Sequence, residues 1–274
     1  MSLLFSILLP TYKRRYLKEC IDSVLAQTHA NWELIIVNDA SPEDIDSIVE
    51  AYTDSRIRYY KNKQNFGAKR LVEQWNYCLS LAKGAYVICI GDDDRLKPDC
   101  LETYAQLIAR YPDVAVLHGQ TDIIDENGHL LRHTPPRPET ESAMRLLYHR
   151  MVERMPQFIG DFCYRTADLR AKGGYYYLPY AWGSDDISAI QAADTHGIAN
   201  TQEVVFEYRD NKASITRHPH VAGKLCAVIR ENLWLRKYLR KPVDNEQDQP
   251  YRNQLRQQLF KHTARKCYYI LRNA

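Results

Sequence analysis

The 274-residue chain lacks any long apolar run: no stretch approaches the ~18 consecutive apolar residues of a membrane span. Its first ten residues, MSLLFSILLP, are apolar but short, and the basic Lys13, Arg14 and Arg15 follow them instead of preceding them, the reverse of a secretory leader. Paired cysteines are absent as well. Cys20, Cys78, Cys89, Cys100, Cys163, Cys226 and Cys267 are odd in number, scattered and free of any C-x-x-C spacing, which argues against a disulfide framework and a zinc site. Reduced thiols in a cytoplasmic protein are the expectation. No sign of charge dominates: 37 Lys and Arg against 34 Asp and Glu leave a net +3, too little to imply nucleic acid as a partner. Internal repeats and low-complexity segments are missing too.

What is present is an ordinary globular composition, 45% hydrophobic and 26% charged. The length suits one large α/β domain, or one domain with a tail. Tyrosine is plentiful, with 20 residues and clusters at 175–177 and 268–269. Such rings line sugar or interface surfaces, or pack with the hydroxyl in water.

The most informative stretch is YVICIGDDD, Tyr86 to Asp94. Tyr86–Ile90 is long enough for one buried strand. Gly91 and three carboxylates follow at once. Asp92, Asp93 and Asp94 repel one another unless a cation or donor groups sit among them. Acids at the carboxyl end of a buried strand suit a hard divalent ion, and in open α/β sheets ligands bind at that end. The plain alternative is a solvated turn in which Asp94 or Asp99 caps the next helix.

Strand and helix signals alternate on both sides of this stretch. Phe5–Leu9 reads as a strand stopped by Pro10, Leu17–Gln27 as a helix, Trp32–Val37 as a second strand. Ser41-Pro42-Glu43-Asp44 reads as a helix start with Ser41 as N-cap. Ile57–Tyr60 is a third strand, and the apolar positions from Leu71 to Ala82 mark a helix closed by Gly84. Pro98 opens a helix to about Tyr111, and Val114–Leu117 is strand-like. Asn127-Gly128 makes a hairpin turn between apolar pairs. Residues 134–138 are a loop, Glu139–Met155 a helix, and Gly173-Gly174 with its tyrosines an aromatic loop. That loop leads to Trp182–Asp186, a helix to about His196, and a strand at Val204–Tyr208. From His218 on the chain reads as helical, interrupted between Pro242 and Pro250. The alternation predicts a mostly parallel sheet with helices on its faces.

Several motifs together resemble a family 2 glycosyltransferase of the GT-A fold. They are LPTY (Leu9–Tyr12), VNDAS (Val37–Ser41), GDDD (Gly91–Asp94) before Pro98, Gly173-Gly174, WGSDD (Trp182–Asp186) ahead of Gly197, and YRDNKASIT (Tyr208–Thr216). They stand in the family's order over residues 5–216. The implied fold is a Rossmann-like, mostly parallel sheet flanked by helices. Residues 1–217 form the catalytic domain, with 1–98 binding the nucleotide sugar and 99–217 the acceptor, and 218–274 form a helical C-terminal extension.

The resemblance implies site residues one by one. Pro10, Thr11 and Tyr12 lie on the nucleotide, and Asp39 accepts from a base N–H such as uracil offers. Asn65 matches the family's N-x-G. The family's Arg at the following helix is missing (the chain has Trp75-Asn76), and either Lys69 or Arg70 replaces it or both belong to a solvated face. Gly91 occupies the place of the first acid of the DXD motif. The metal, Mn²⁺ or Mg²⁺, therefore falls to Asp93 and Asp94, with Asp92 at ribose or water. Arg209 and His218, after the last strand, either reach the diphosphate or belong to a surface loop. Asp186, counted back from Gly197, is the general base, with Asp185 second. The implied reaction is inverting transfer from a nucleotide-diphosphate sugar, with UDP as carrier, to a hydroxyl of a glycan or lipid-linked acceptor in cell-surface polysaccharide or lipopolysaccharide synthesis. A non-catalytic sugar-nucleotide-binding or assembly protein is the alternative, as is a sugar-nucleotide pyrophosphorylase, although LPTYKRR lacks the glycine-rich loop that chemistry needs.

The basic helices of the tail carry Leu225, Val228, Ile229, Leu233, Trp234, Leu235 and Leu239, then Leu255, Leu259, Phe260, Tyr268, Ile270 and Leu271. Two readings stand. Either the helices lie on anionic lipid at the cytoplasmic face, or the first packs on the domain and the second is solvated or forms a homodimer.

Overall fold

The computed structural model describes residues 3–211, 220–243 and 245–272. Its first half alternates as expected: β1 (Phe5–Thr11), α1 (Leu17–Leu25), β2 (Trp32–Asn38), α2 (Asp46–Glu50), β3 (Ile57–Lys61), α3 (Leu71–Leu81) and β4 (Tyr86–Cys89). These strands lie parallel in the order β3-β2-β1-β4. Every residue of β2 and β4 is buried, as runs covered by helices on both faces must be. Register pairs Thr11 with Asn38 and Leu8 with Cys89, so the loops carrying Asp39 and Asp92–Asp94 leave one edge of the sheet.

The second half runs β5 (Arg95–Leu96), α4 (Cys100–Arg110), β6 (Val116–Ile124), β7 (Leu130–His133), β8 (Thr140–Glu141), α5 (Ala143–Tyr148), β9 (Phe162–Arg165), α6 (Thr166–Ala171), α7 (Ser184–Ala193) and β10 (Ile198–Arg209). β9 is antiparallel to both neighbours and joins β4 to β6. β10 is parallel to β6 and antiparallel to β5 and β8. The sheet is thus parallel at its first edge and mixed beyond β4. The Asn127-Gly128 turn closes the β6–β7 hairpin, with Gly128 at φ 87°.

Local starts and stops differ in several places: β9 and α6 carried no sequence signal, β10 begins six residues before Val204, and three further differences have a clear local cause. Ser41 does not cap a helix: its Oγ accepts from Glu43 N (3.0 Å) in a turn, and α2 begins only at Asp46. Gly84 is not a left-handed cap. A Cβ there would lie 2.7 Å from Ser6 N and 2.8 Å from Leu4 O, so its role is close backbone approach. The helix expected over Glu139–Met155 is shorter because Thr140–Glu141 pairs with β10 and Ser142 caps α5 through Arg145 N (3.1 Å). It ends in a π-type turn at His149–Glu153, closed by Arg154 at φ 63°.

The core has one layer on each face of the sheet. Phe5, Ile7, Leu9, Leu34 and Ile36 pack with α1 and α4, and Leu8, Ile35, Val37 and Val87 pack with α3, α5 and α7. This is the period-2 alternation of strands. The C-terminal helices α8 (Val221–Arg240) and α9 (Gln249–Arg272) form an antiparallel hairpin, tied by Asn232–Thr263 (2.6 Å) and Arg256–Leu239 O (3.0 Å). Leu235, Leu239, Leu255 and Leu259 join the second core layer, so both helices pack on the domain. Their outer faces leave Ile229, Leu233, Phe260, Tyr268 and Leu271 exposed. No helix among the described residues is long and apolar enough to cross a membrane.

Candidate active site

At the carboxyl edge of the parallel strands, Asp92 folds the loop after β1 onto β4. Its Oδ2 accepts from Thr11 Oγ1 (3.1 Å), Tyr12 N (2.8 Å) and Lys13 N (2.8 Å). The Tyr12 ring is left exposed. Asp39 is buried one strand over. Its Oδ1 accepts from Asn62 Nδ2 (2.7 Å) and Phe66 N (2.9 Å), and the next residue, Ala40, sits at φ 50°. Asn65 is exposed and bonds Gly67 N, shaping the turn before α3. Asn62, which links Asp39 to Gln74 Oε1 (2.8 Å), was not signalled by any motif.

Asp93 and Asp94 converge above Gly91. A Cβ on Gly91 would lie 2.8 Å from Asp93 Oδ1 and 2.9 Å from Asp94 Oδ2, so glycine is what allows both carboxylates to turn inward. Burial and the Asp92 charge push Asp93 up to about 6. Burial and the Asp93 charge push Asp94 well above the usual range, although Arg209 N donates to it (2.9 Å). Asn211 donates to Asp93. Among the described residues no three His, Cys, Asp or Glu side chains are placed to hold a metal between them.

Arg209 is not free to close over a diphosphate. It is buried behind the acids, bonding Glu19 (2.7 Å), Asp93 O (2.8 Å) and Glu126 O (3.2 Å), with its guanidinium 4.2 Å over the Tyr16 ring. It ties β10 to the Gly91–Asp94 turn and the β6–β7 hairpin. His218 and residues 212–216 of the last motif lie outside the described residues.

The two acids of WGSDD part company at the first turn of α7. Asp186 is buried and held by Arg150 Nε (3.0 Å); with its amide turned so that nitrogen faces the carboxylate, Gln157 donates to it (2.9 Å) and accepts from Arg137 (2.8 Å). Asp185 instead faces a 320 Å³ cavity that also receives Asp94, Trp75, Trp182 and Tyr208. Burial and the Asp186 charge push Asp185 up to about 7. The preference for Asp186 from counting back to Gly197 thus reverses on geometry: Asp186 anchors the turn and Asp185 looks into the cavity.

The loop before α7 is held by contacts the sequence did not signal. Tyr180 and Ala181 are left-handed at φ 60° and 54°, conformations that persist only where surroundings fix them. Gly183, at φ 90°, lies over an ion pair from the C-terminal hairpin; a Cβ there would be 3.2 Å from Lys266 Nζ. Lys266 bonds Glu231 at 2.7 Å and lines the cavity. Burial opposes ionisation of Glu231, but Lys266 and His262 outweigh it and hold the carboxyl at about 2. Arg150, Gln157 and Lys266 carry no motif, and only packing brings them here.

A parallel sheet edge rich in acids, opening on a cavity closed by a second acidic loop, is the GT-A architecture. The structure of S. aureus TarS 1–349 with UDP-GlcNAc matches at TM-score 0.70 and 18% identity, over 99% of this chain and 72% of that one. The mannosyltransferase PcManGT of Pyrobaculum calidifontis with GDP-Man and Mn²⁺ matches at 0.61 and 17% identity, over 98% and 73%. The signature of glycosyl transferase family 2 matches residues 6–166, more than half of the chain, and the chain belongs to that family. It is 33% identical over 157 residues to the putative colanic acid biosynthesis glycosyl transferase WcaA of Escherichia coli K12, 54% of each chain. Several longer curated relatives, two of them uncharacterized glycosyltransferases from Rickettsia, are matched over only 14% to 22% of their length.

Proposed function

We propose that the protein transfers a sugar from a nucleotide diphosphate, with inversion, to a hydroxyl of a glycan or lipid-linked acceptor in polysaccharide synthesis. The observation that carries this reading is the single cavity shared by Asp94, at the end of the donor-side strands, and Asp185, a carboxyl poised near neutrality. Asp39, Pro10, Thr11 and Tyr12 form the nucleotide side. UDP is the favoured carrier: Asp39 Oδ2, which takes only the longer of the two bonds from Phe66 N (3.2 Å), keeps a lone pair for a uracil N–H, and TarS is solved with UDP-GlcNAc. Asp185 takes the proton from the acceptor hydroxyl, which attacks the anomeric carbon opposite the leaving nucleotide. A base with pKa near the working pH combines the right protonation state with useful proton affinity.

The acids above Gly91 fit a divalent ion. Asp92 raises Asp93 and Asp93 in turn raises Asp94, an accumulation of negative charge that a cation relieves, and Mg²⁺-type ions need only one or two protein carboxylates when phosphates and water complete the shell. Asp93 and Asp94 would hold it, and when bound it neutralises charge on the departing diphosphate. PcManGT is solved with Mn²⁺. The test is a panel of nucleotide sugars with and without Mn²⁺, read as thermal stabilisation and nucleotide release. A ligand that binds only the folded state raises the melting temperature by mass action. UDP-sugars are expected to stabilise and to release UDP when acceptor is added. Absence of stabilisation by every nucleotide sugar overturns the transferase reading.

A further inference from the structure

A second cavity, of 720 Å³, lies away from the acids, between α7, α8 and the start of the aromatic loop. Its size falls within the range of built ligand sites. Tyr176, Trp234 and Tyr238 give it ring surfaces, with Trp234 and Tyr238 stacked at 5.0 Å and 10°. Lys172, Arg230 and Lys237 give it charge, and none of these three has a side-chain partner among the described residues. The acid on its wall, Asp194, is already engaged by the Tyr238 hydroxyl (3.0 Å) and Lys241 Nζ (3.2 Å). The lining is therefore aromatic and net positive. The 176–182 segment connects this cavity to the reaction centre: Tyr176 lines one, Tyr180 and Trp182 the other.

We infer that this cavity binds an acidic glycan, the distal part of the acceptor chain whose end is extended at Asp185. The inference rests on the transferase reading and deepens it by naming the acceptor class. Pyranose rings present apolar C–H faces that pack on aromatic rings, and uronate or phosphate groups pair with Lys and Arg. A neutral glycan would gain nothing from the three cations, which would stay paired with water alone. The site is concave, which suits a chain in a groove better than the flat surface of a bilayer.

The test uses the full chain and an acidic hexasaccharide, hexagalacturonate, with neutral maltohexaose as control, by calorimetry. Hexagalacturonate is expected to bind at least about tenfold more tightly than maltohexaose and to weaken as salt rises from about 50 to about 200 mM. The Arg230→Glu/Lys237→Glu variant, altered at exposed positions, is expected to lose about tenfold or more in that affinity. Trp234→Ala is expected to weaken both oligosaccharides, with circular dichroism confirming that it is folded. Equal affinity for both sugars, or full affinity in the charge-reversed variant, overturns the inference. So does binding of anionic phosphatidylglycerol vesicles that the charge reversal abolishes, when hexagalacturonate fails to bind; the cavity then serves a lipid surface. UDP-sugar stabilisation is read in parallel. If it is absent from both proteins while hexagalacturonate still distinguishes them, the transferase reading falls and the acidic-glycan site stands.

Discussion

The strand-edge side of the cavity, proposed here as the donor side, and the α7 side, proposed as the acceptor side, are built in opposite ways. On the donor side, Thr11, Asp39 and Asp92–Asp94 stand at or just past the ends of parallel strands, and register brings them to one edge, where Arg209 and Asn211 fasten the acids. On the acceptor side, Asp185 takes its place through residues far away in the chain: Arg150 and Gln157 hold Asp186, and Lys266 and Glu231 support Gly183. The first half is set by strand order, the second by packing. Damage should therefore stay local on the donor side and spread on the acceptor side.

The sharpest contrast lies within one dipeptide. Asp185→Asn is expected to lower turnover by about 10²–10⁴, the range for loss of a general base, with donor affinity unchanged. Asp186→Asn is expected to act mainly on stability, since it weakens the hold on Arg150. Measuring kcat and melting temperature for both separates the roles, and a dead Asp186→Asn beside an active Asp185→Asn returns the base to Asp186.

Ion pairs extend the comparison. Lys266→Met strands a buried Glu231 and is expected to cost about 3 kcal/mol in urea unfolding. Lys61→Met on the donor side breaks an exposed pair with Asp46 and should cost less than about 1 kcal/mol. Similar losses for both would mean that the hairpin does not brace the acceptor loop.

Asp93→Asn is expected to weaken UDP-sugar binding by about tenfold with Mn²⁺ present and hardly at all without it. In the wild type, Mn²⁺-assisted binding should fade as pH drops below about 6, where Asp93 takes up its proton. Calorimetry across pH 5 to 8 checks both; affinity indifferent to Mn²⁺ removes the ion from the donor side.

The smallest expected effect is a shift of the pH profile. Turnover should rise through about pH 7 as Asp185 ionises, and in Asp186→Asn that rise should move to lower pH because a repelling charge is gone. Stability runs the other way. The folded value lies above the unfolded value of 3.8, so the folded state binds more protons and loses stability as pH rises between the two. Asp185→Asn should accordingly raise the melting temperature above pH 7 and leave it unchanged below pH 4.

Much of this was legible from residues alone. Short apolar runs ending in Pro10, Asn38 and Gly91 define strands and their acidic edge, because side-chain period and turn chemistry act within a few residues. The motifs likewise led to the family. Asp185 against Asp186 was not legible, since adjacent residues at a helix start differ only in what surrounds them, and counting positions cannot see Arg150. Arg209 looked like a phosphate ligand because a basic residue after a strand is chemically suited to that; its burial against Glu19 and the Asp93 carbonyl became visible only when β10 was placed beside β5.

The tail shows where local information ends. Its apolar spacing determined two helices, since that pattern is periodic along the chain. The tertiary structure decided that Leu235, Leu239, Leu255 and Leu259 face the core while Leu233 and Phe260 face outward, and that Lys266 reaches Gly183. A helical stripe specifies which residues share a face; which face meets the protein depends on the shape and charge of the surface it meets.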